Sequence, residues 1–311
     1  MIILLASDDR FVQHCAVTIT SVMENNRDVT FYLFTQGLTD SNVTLLNDLV
    51  GKYNCSLHIC TIDDRLTSSF PMPKEGGEHI SIATYYRLFV ERVLPKEVDR
   101  VIYMDCDIVV RGSLEPLWNV VLDGYALGAV YQGMNFLRDC DFERLQIPKE
   151  RGYFNAGVLL INLDYWRKHD VTRRLFDYII NSFQSIKQHD QDTLNAVLCN
   201  EVSPISYTWN YLPQFFLIKK GLIFPAHVNY SKKIEPVVIH YVSVPKPWDW
   251  GCYNPYTKEY FKYLDMTPYK GWRPKFVFNK YMKQRGWPSI VQIIGKMDVL
   301  NIRKLVKRIA K

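Results

Sequence analysis

With 311 residues, 48% of them hydrophobic, the chain is long enough to bury one large core, or a core with a tail. Its net charge of +6 is divided unevenly, because Met266 to Lys311 sets 12 Lys or Arg against the single acid Asp298, so that this stretch carries +11 and the remainder −5. An acidic body disfavours a nucleic-acid-binding protein, and seven cysteines without CxxC spacing disfavour a disulfide framework or a structural zinc site.

Ile2 to Ala6 is a short continuous apolar run, as in a buried parallel strand. It meets Asp8 and Asp9 too early for a signal peptide, and no later run reaches the length of a membrane span. The expected location is therefore cytoplasmic, free or peripheral on the inner face of the cytoplasmic membrane. Phe11 to Glu24 predicts a helix, Val29 to Phe34 a strand, Leu38 to Tyr53 a helix and Ser56 to Ile62 a strand. Ile80 to Leu94 predicts a further helix, and Val101 to Met104 a buried strand. This rhythm implies an α/β fold around a mostly parallel, doubly wound sheet, with ligands beyond the carboxyl ends of the strands. Tyr125 to Tyr131 and Val158 to Leu163 predict strands, and Tyr165 to Phe183 and Asp192 to Leu198 predict helices. From Val202 to Trp250 the chain is irregular and rich in Pro and aromatics. Composition breaks near Thr267, dividing a main domain, 1–265, from a basic tail, 266–311.

Asp105-Cys106-Asp107 directly follows the apolar run Val101 to Met104. Two carboxylates there suit a hard divalent ion, Mg²⁺ or Mn²⁺, that also takes diphosphate oxygens; a solvated strand end has the same sequence. His240 closes another apolar run, Val237 to Ile239. As a third ligand it tilts the site toward Mn²⁺, whereas a core histidine needs only a hydrogen bond. Asp8 and Asp9 follow the first strand, where carboxylates accept from a base or ribose, or cap the next helix. No GxGxxG follows that strand, which disfavours dinucleotide binding. Asp190-Gln191-Asp192 opens a helix, where Asp is ordinary capping chemistry. Lys246, stiffened between Pro245 and Pro247, offers a cation to a phosphate.

In order along the chain, ASDD, HISIATYYRL, YMDCDIVVRGSLEPLW, YFNAGVLLINL, DQDTLN and HYVSVPKPW resemble the retaining glycosyltransferases of family 8. The likeness is greatest to bacterial lipopolysaccharide α-galactosyltransferases and more distant to glycogenin, and it runs from Met1 to Trp250. It implies a GT-A-like catalytic domain, Mn²⁺ or Mg²⁺, and a UDP-hexose donor, UDP-galactose or UDP-glucose. It implies a carbohydrate or lipid-linked glycan acceptor, of the kind built into lipopolysaccharide or another cell-surface polysaccharide.

By motif position, the resemblance implies that Asp105, Asp107 and His240 ligate the metal, with Cys106 between the carboxylates. Ala6, Ser7, Asp8 and Asp9 would hold uridine, with Asp8 at the uracil. Thr84 and Arg87 would face the nucleotide and donor sugar. Asn155, Ala156, Gly157, Asp190 and Gln191 would line the sugar pocket, and Lys246, in the same loop as Ser243, would hold the leaving diphosphate. Three positions depart from the family pattern: Phe11 for Tyr, Gln132 for Asp, and Ser243 for Gly in HYxGxxKPW.

The implied catalytic set is Asp190, Gln191 and Lys246. Lys246 would neutralise the leaving group and Asp190 orient sugar hydroxyls. Gln191 stands where a nucleophile would be sought, but an amide is a poor one, which favours attack from the departing face. A sugar nucleotidyltransferase would carry a Gly-rich loop after the first strand, and ASDDRF has no Gly. A catalytically inactive UDP-sugar-binding protein would not need Asp105, Asp107, His240 and Lys246 together. In the tail, Ile290, Ile293, Ile294, Met297 and Leu300 recur at helical spacing among basic residues. Such a helix lies on an anionic membrane surface, or packs its apolar face on the enzyme's own body.

Overall fold

The computed structural model describes residues 1–63, 82–133, 137–212, 226–228, 235–242, 245–252 and 254–275. Apolar runs in the first third of the chain form β1 (Ile2–Ala6), β2 (Thr30–Thr35), β3 (Ser56–Thr61) and β4 (Arg100–Met104). These four are mutually parallel, in the order β3-β2-β1-β4. β1 and β4 are buried on both faces, which is why their sequences do not alternate. Leu4 and Tyr103 pack on one side of the sheet, and Ile3, Leu5, Ile102 and Met104 on the other. Full burial of one such aliphatic side chain contributes roughly 1.5–3 kcal/mol.

After β5 (Ile108–Val110) come β6 (Leu127–Tyr131), β7 (Phe154–Asn162), β8 (Val202–Pro204) and β9 (Val238–His240). The main sheet runs β3-β2-β1-β4-β7-β6-β8, and β5 pairs with β9 in a separate ribbon. The sheet is mostly parallel as expected, but β7 is antiparallel to both β4 and β6. That reversal brings the first residues of β7 alongside the carboxyl end of β4. Met104 pairs with Val158, and the Asp105 N–H donates to Gly157 O at 2.9 Å.

The β6–β7 ladder is irregular at Ala129/Val130: Ala129 pairs with Leu159, and Val130 with Asn155. Ala156, Gly157 and Val158 therefore fall outside that ladder, and their backbone groups must find other partners.

Two expected helices differ in kind. Ile80 to Leu94 contains a 3₁₀ helix, Ile82–Phe89, followed by one α turn, Val90–Val93. With three residues per turn, Thr84 and Arg87 lie on one edge of it. The single helix expected from Tyr165 to Phe183 is two, Leu163–Lys168 and Val171–Ser182, broken where Asp170 takes φ +49. Helix α1 (Val12–Asn25) buries Ala16, Ile19 and Val22 against the sheet. Just past the last residue of the expected main domain, Arg273 pairs back with Asp265 at 2.6 Å. The amphipathic pattern from Ile290 onward lies outside the described residues. Among the described residues, no helix is long and apolar enough to cross a membrane.

Candidate active site

Asp105 begins where β4 ends. Its Oδ1 accepts from Tyr103 Oη at 2.7 Å and Arg87 Nη2 at 2.8 Å. Its Oδ2 lies 3.6 Å from His240 Nε2. The β5–β9 ribbon delivers His240 to this point: Ile108 pairs with His240, and the Tyr241 N–H donates to Asp107 O at 3.0 Å. Helix α1 braces the turn, because Thr18 Oγ1 donates to Ile108 O at 2.8 Å and Ser21 Oγ accepts from the Val110 N–H at 2.9 Å.

Asp107 Oδ1 then sits 3.0 Å from His240 Nε2, and its Oδ2 sits 2.5 Å from Lys246 Nζ. One ligand atom each from Asp105, Asp107 and His240 lie within 4.8 Å of one another. Burial raises the Asp107 carboxyl, but Lys246 and His240 together outweigh that and hold it well below the usual carboxylate range. Even so, Asp107 Oδ1 is buried with no hydrogen-bond partner. Two carboxylates and one imidazole, with one buried oxygen left unsatisfied, form a donor set that fits a divalent cation. The side chain of Cys106 turns away from these carboxylates and donates to Ala6 O at 3.3 Å.

A second group forms around Arg87, which is buried. Its Nη1 donates to Ala156 O at 2.5 Å, and its guanidinium carbon stands 4.1 Å from the centroid of the Tyr103 ring. Arg87 Nε lies 2.9 Å from Asp190 Oδ2, close enough to pair but not aligned for a hydrogen bond. From the same edge of the 3₁₀ helix, Thr84 Oγ1 donates to Asp190 Oδ1 at 2.5 Å. Burial pushes the Asp190 carboxyl up to about 6, against the opposing pull of Arg87 and Thr84.

Beyond β1, the Ser7 N–H donates to Phe34 O at 3.0 Å. Asp8 takes the capping role: Oδ1 accepts from the Arg10 and Phe11 N–H groups at 3.0 and 3.1 Å. Asp9 Oδ1 reaches the start of the helix Asp40–Gly51, accepting from the Thr39 N–H and Asn42 Nδ2, each at 2.8 Å. Gln132 donates its N–H to Tyr153 O at 2.8 Å. Ser243 lies outside the described residues.

The Lys246 loop is held from two directions. Its N–H donates to Asp249 Oδ2 at 2.8 Å, and Trp248 stacks on His14 at 3.7 Å between centroids. His14 Nδ1 is 2.7 Å from Tyr260 Oη, and burial lowers the ring's pKa to about 3.

The structure gathers residues named from sequence into three groups that differ from the expected ones: Asp105, Asp107, His240 and Lys246; Thr84, Arg87 and Asp190; and Asn155, Ala156, Gly157 and Gln191, where Gln191 Oε1 accepts from Asn155 Nδ2 and the Ala156 N–H and Asn155 Oδ1 accepts from the Gly157 N–H. Sequence reasoning missed Tyr103, Tyr153, Asn210, His14 and Trp248 as supports. Trp248 lies within the PKPW motif, but Asn210 lies in an aperiodic stretch with no signal.

A model of glycosyl transferase family 8 matches residues 2–251. The chain belongs to that family. It is a glycosyltransferase, taking a nucleotide-sugar donor and a glycan acceptor. Among curated relatives of this family-8 enzyme, general stress protein A of Bacillus subtilis is 26% identical over 275 residues, spanning 86% of this chain and 94% of that one. A lipopolysaccharide 1,2-glucosyltransferase of Escherichia coli is 29% identical over 273 residues, 85% of this chain and 77% of that one. Among solved structures, the galactosyltransferase LgtC, in complex with donor and acceptor sugar analogs, shares the fold. Its TM-score is 0.77 at 23% identity, covering 92% of this chain and all of LgtC.

Proposed function

We propose that this enzyme transfers a hexose, galactose or glucose, from its UDP-sugar to a glycan acceptor with retention of anomeric configuration. The product belongs to lipopolysaccharide or another cell-surface polysaccharide. The observation that carries the reading is Asp107 Oδ1, a buried carboxylate oxygen without a hydrogen bond that faces an imidazole nitrogen and a second carboxylate. Asp105, Asp107 and His240 would hold Mn²⁺ or Mg²⁺, which when bound supplies positive charge to the departing diphosphate.

The chain's own residues do the rest. Lys246 Nζ, poised beside Asp107, transfers its contact to a diphosphate oxygen and adds a second cation to the leaving group. Arg87, held by Ala156 O, Asp105 and Asp190, fixes the carboxylates in place. Asp190 already carries Thr84 and Arg87 on its two oxygens, and it orients the donor sugar through Arg87. Gln191 Oε1 accepts from both Asn155 Nδ2 and the Ala156 N–H. An amide oxygen so engaged is no nucleophile, which supports attack from the departing face, with the acceptor's proton passing to a diphosphate oxygen. The loop Ala6 to Asp9 receives the uridine.

The known relatives include a glucosyltransferase, and LgtC is a galactosyltransferase, so donor choice is the first measurement. Hydrolysis and transfer are followed with UDP-glucose, UDP-galactose and a GDP-hexose, with Mn²⁺ and with chelator. The expected result is turnover of a UDP-hexose, in Mn²⁺, releasing UDP. Equal turnover of the GDP-sugar, or full activity in chelator, overturns the reading, and consumption of added pyrophosphate to give UTP and hexose 1-phosphate, in place of UDP release, identifies a nucleotidyltransferase. The +11 charge of residues 266–311 supports a second proposal, that the enzyme works at the cytoplasmic face of an anionic membrane. Failure to co-sediment with anionic vesicles at low salt removes it.

A further inference from the structure

Four amide and phenol side chains link His240 to a buried carboxylate in another part of the fold. His240 Nδ1 lies 2.9 Å from Asn210 Oδ1, and Asn210 Nδ2 donates to Asn155 Oδ1 at 2.8 Å. Asn155 Nδ2 donates to Gln191 Oε1 at 2.9 Å, and Gln191 Nε2 donates to Tyr153 Oη at 3.2 Å. Tyr153 Oη donates to Asp192 Oδ1 at 2.7 Å. Asp192 is fully buried and is anchored by Arg144 at 2.7 Å and by the N–H groups of Lys187 and Gln188.

An amide side chain has a carbonyl end and an NH₂ end, and its neighbours decide which faces where. Here two backbone N–H groups decide. The irregular β6–β7 ladder leaves Ala156 and Gly157 to find partners elsewhere, and a backbone N–H can only donate. The Gly157 N–H points at Asn155 Oδ1 at 3.0 Å, and the Ala156 N–H points at Gln191 Oε1 at 3.0 Å. Both oxygens are thereby fixed as carbonyls. Asn210 must then present its NH₂ to Asn155 and its carbonyl to His240. A carbonyl can only accept, so Nδ1 of His240 carries the hydrogen and Nε2 keeps its lone pair. Nε2 lies 3.0 Å from Asp107 Oδ1 and 3.6 Å from Asp105 Oδ2.

We propose that Asn210 is a positioning residue that holds His240 in its Nδ1–H tautomer, with the direction of the whole relay set by the freed N–H groups of Ala156 and Gly157. The inference rests on His240 as a ligand, and it assigns work to a residue outside that ligand set. Without Asn210 the ring is free to turn until Nε2–H donates to the Asp107 carboxylate, now 3.0 Å away. That tautomer places a proton where a cation must bind. The outer partner of a ligating histidine typically governs metal affinity by 10- to 100-fold.

The first test needs neither metal nor turnover. Protein labelled with ¹⁵N-histidine is examined by long-range ¹H–¹⁵N correlation at about pH 8, where free imidazole is neutral, and His240→Gln identifies the signal. The expected ring has a pyrrole-like Nδ1 and a pyridine-like Nε2. In Asn210→Leu the pattern should invert, and Mn²⁺ affinity, read from free Mn²⁺ by electron paramagnetic resonance at saturating UDP, should fall at least tenfold. A wild-type ring protonated at Nε2 overturns the proposal even if the variant does not fold. An unchanged tautomer, or an affinity within about twofold of wild type, in a folded Asn210→Leu removes the role of Asn210. Wild-type protein that binds no Mn²⁺ under any condition instead refutes the metal reading, while the tautomer measurement stands on its own.

Discussion

A Cβ built on Gly157 would stand 2.0 Å from His240 Cε1 and 2.8 Å from Asp105 Oδ2. The imidazole packs directly on the glycine backbone, so the ligand ring and the strand behind it leave no room for a methyl group. Gly157→Ala should displace His240, lower stability by about 1–3 kcal/mol through overpacking, and weaken Mn²⁺ binding at least tenfold. Chemical denaturation and a metal titration measure the two effects separately. A variant as stable and as metal-avid as wild type would show that the ring yields freely.

Asp105→Asn and Asp107→Asn should each cut transfer by at least about 100-fold, since a neutral amide balances no cation charge. Asp105→Asn should still fold, because an amide carbonyl can replace Oδ1 as acceptor for Tyr103 and Arg87. Kinetics paired with melting curves check this. Near-full activity in Mn²⁺ excludes the metal assignment, and joint loss of folding marks the carboxylates as structural.

UDP should raise the melting temperature when a divalent ion is present and much less without one, by linkage of binding to stability. GDP should have a smaller effect, since the loop from Ala6 to Asp9 is assigned to uridine. Thermal shifts with both nucleotides, each with and without Mn²⁺, provide the comparison. Equal stabilisation by the two nucleotides would count against a uridine site.

The pH dependence of stability has two opposed contributions. His14 titrates at about 3 in the folded protein, below the ordinary histidine value, so the unfolded chain binds more protons in the interval between. Stability from this source is full above about pH 6.5 and is lost as pH falls, by about 2 kcal/mol at pH 5. Asp190 titrates at about 6, above its ordinary value, so it returns some stability as pH falls through 6. His14→Gln removes the first contribution and leaves the second. The variant should therefore gain about 2 kcal/mol on wild type between pH 7 and pH 5, read as the change in their difference in urea unfolding. Parallel curves would show that His14 charges freely in the fold.

Much of this was legible from local sequence. The runs Ile2 to Ala6 and Val101 to Met104 announced buried strands because both faces are covered, and Asp105 and Asp107 fell at a carboxyl end. What could not be read was pairing at a distance. Nothing in Val158 to Leu163 says that β7 runs antiparallel, since a fully buried strand reads alike in either direction. The 3₁₀ geometry of Ile82–Phe89 was hidden because apolar spacing there suits an α-helix nearly as well. Asn210 had no signal, and Tyr153, although it opens the motif YFNAGVLLINL, could be given no role, as their work depends on neighbours supplied by four separate segments. Asp8 illustrates a residue with two readings, and the structure displays the capping one.

The ribbon that pairs Ile108 with His240 joins positions more than 100 residues apart, and the Lys246 loop follows β9. A chain emerging from the ribosome can therefore fold β1 to β4 and expose both acidic side chains long before their third partner exists. Closing so long a loop is slow relative to local folding. Competence for catalysis should arrive late and all at once during synthesis, and nascent chains shorter than β9 should hold the sheet without the activity.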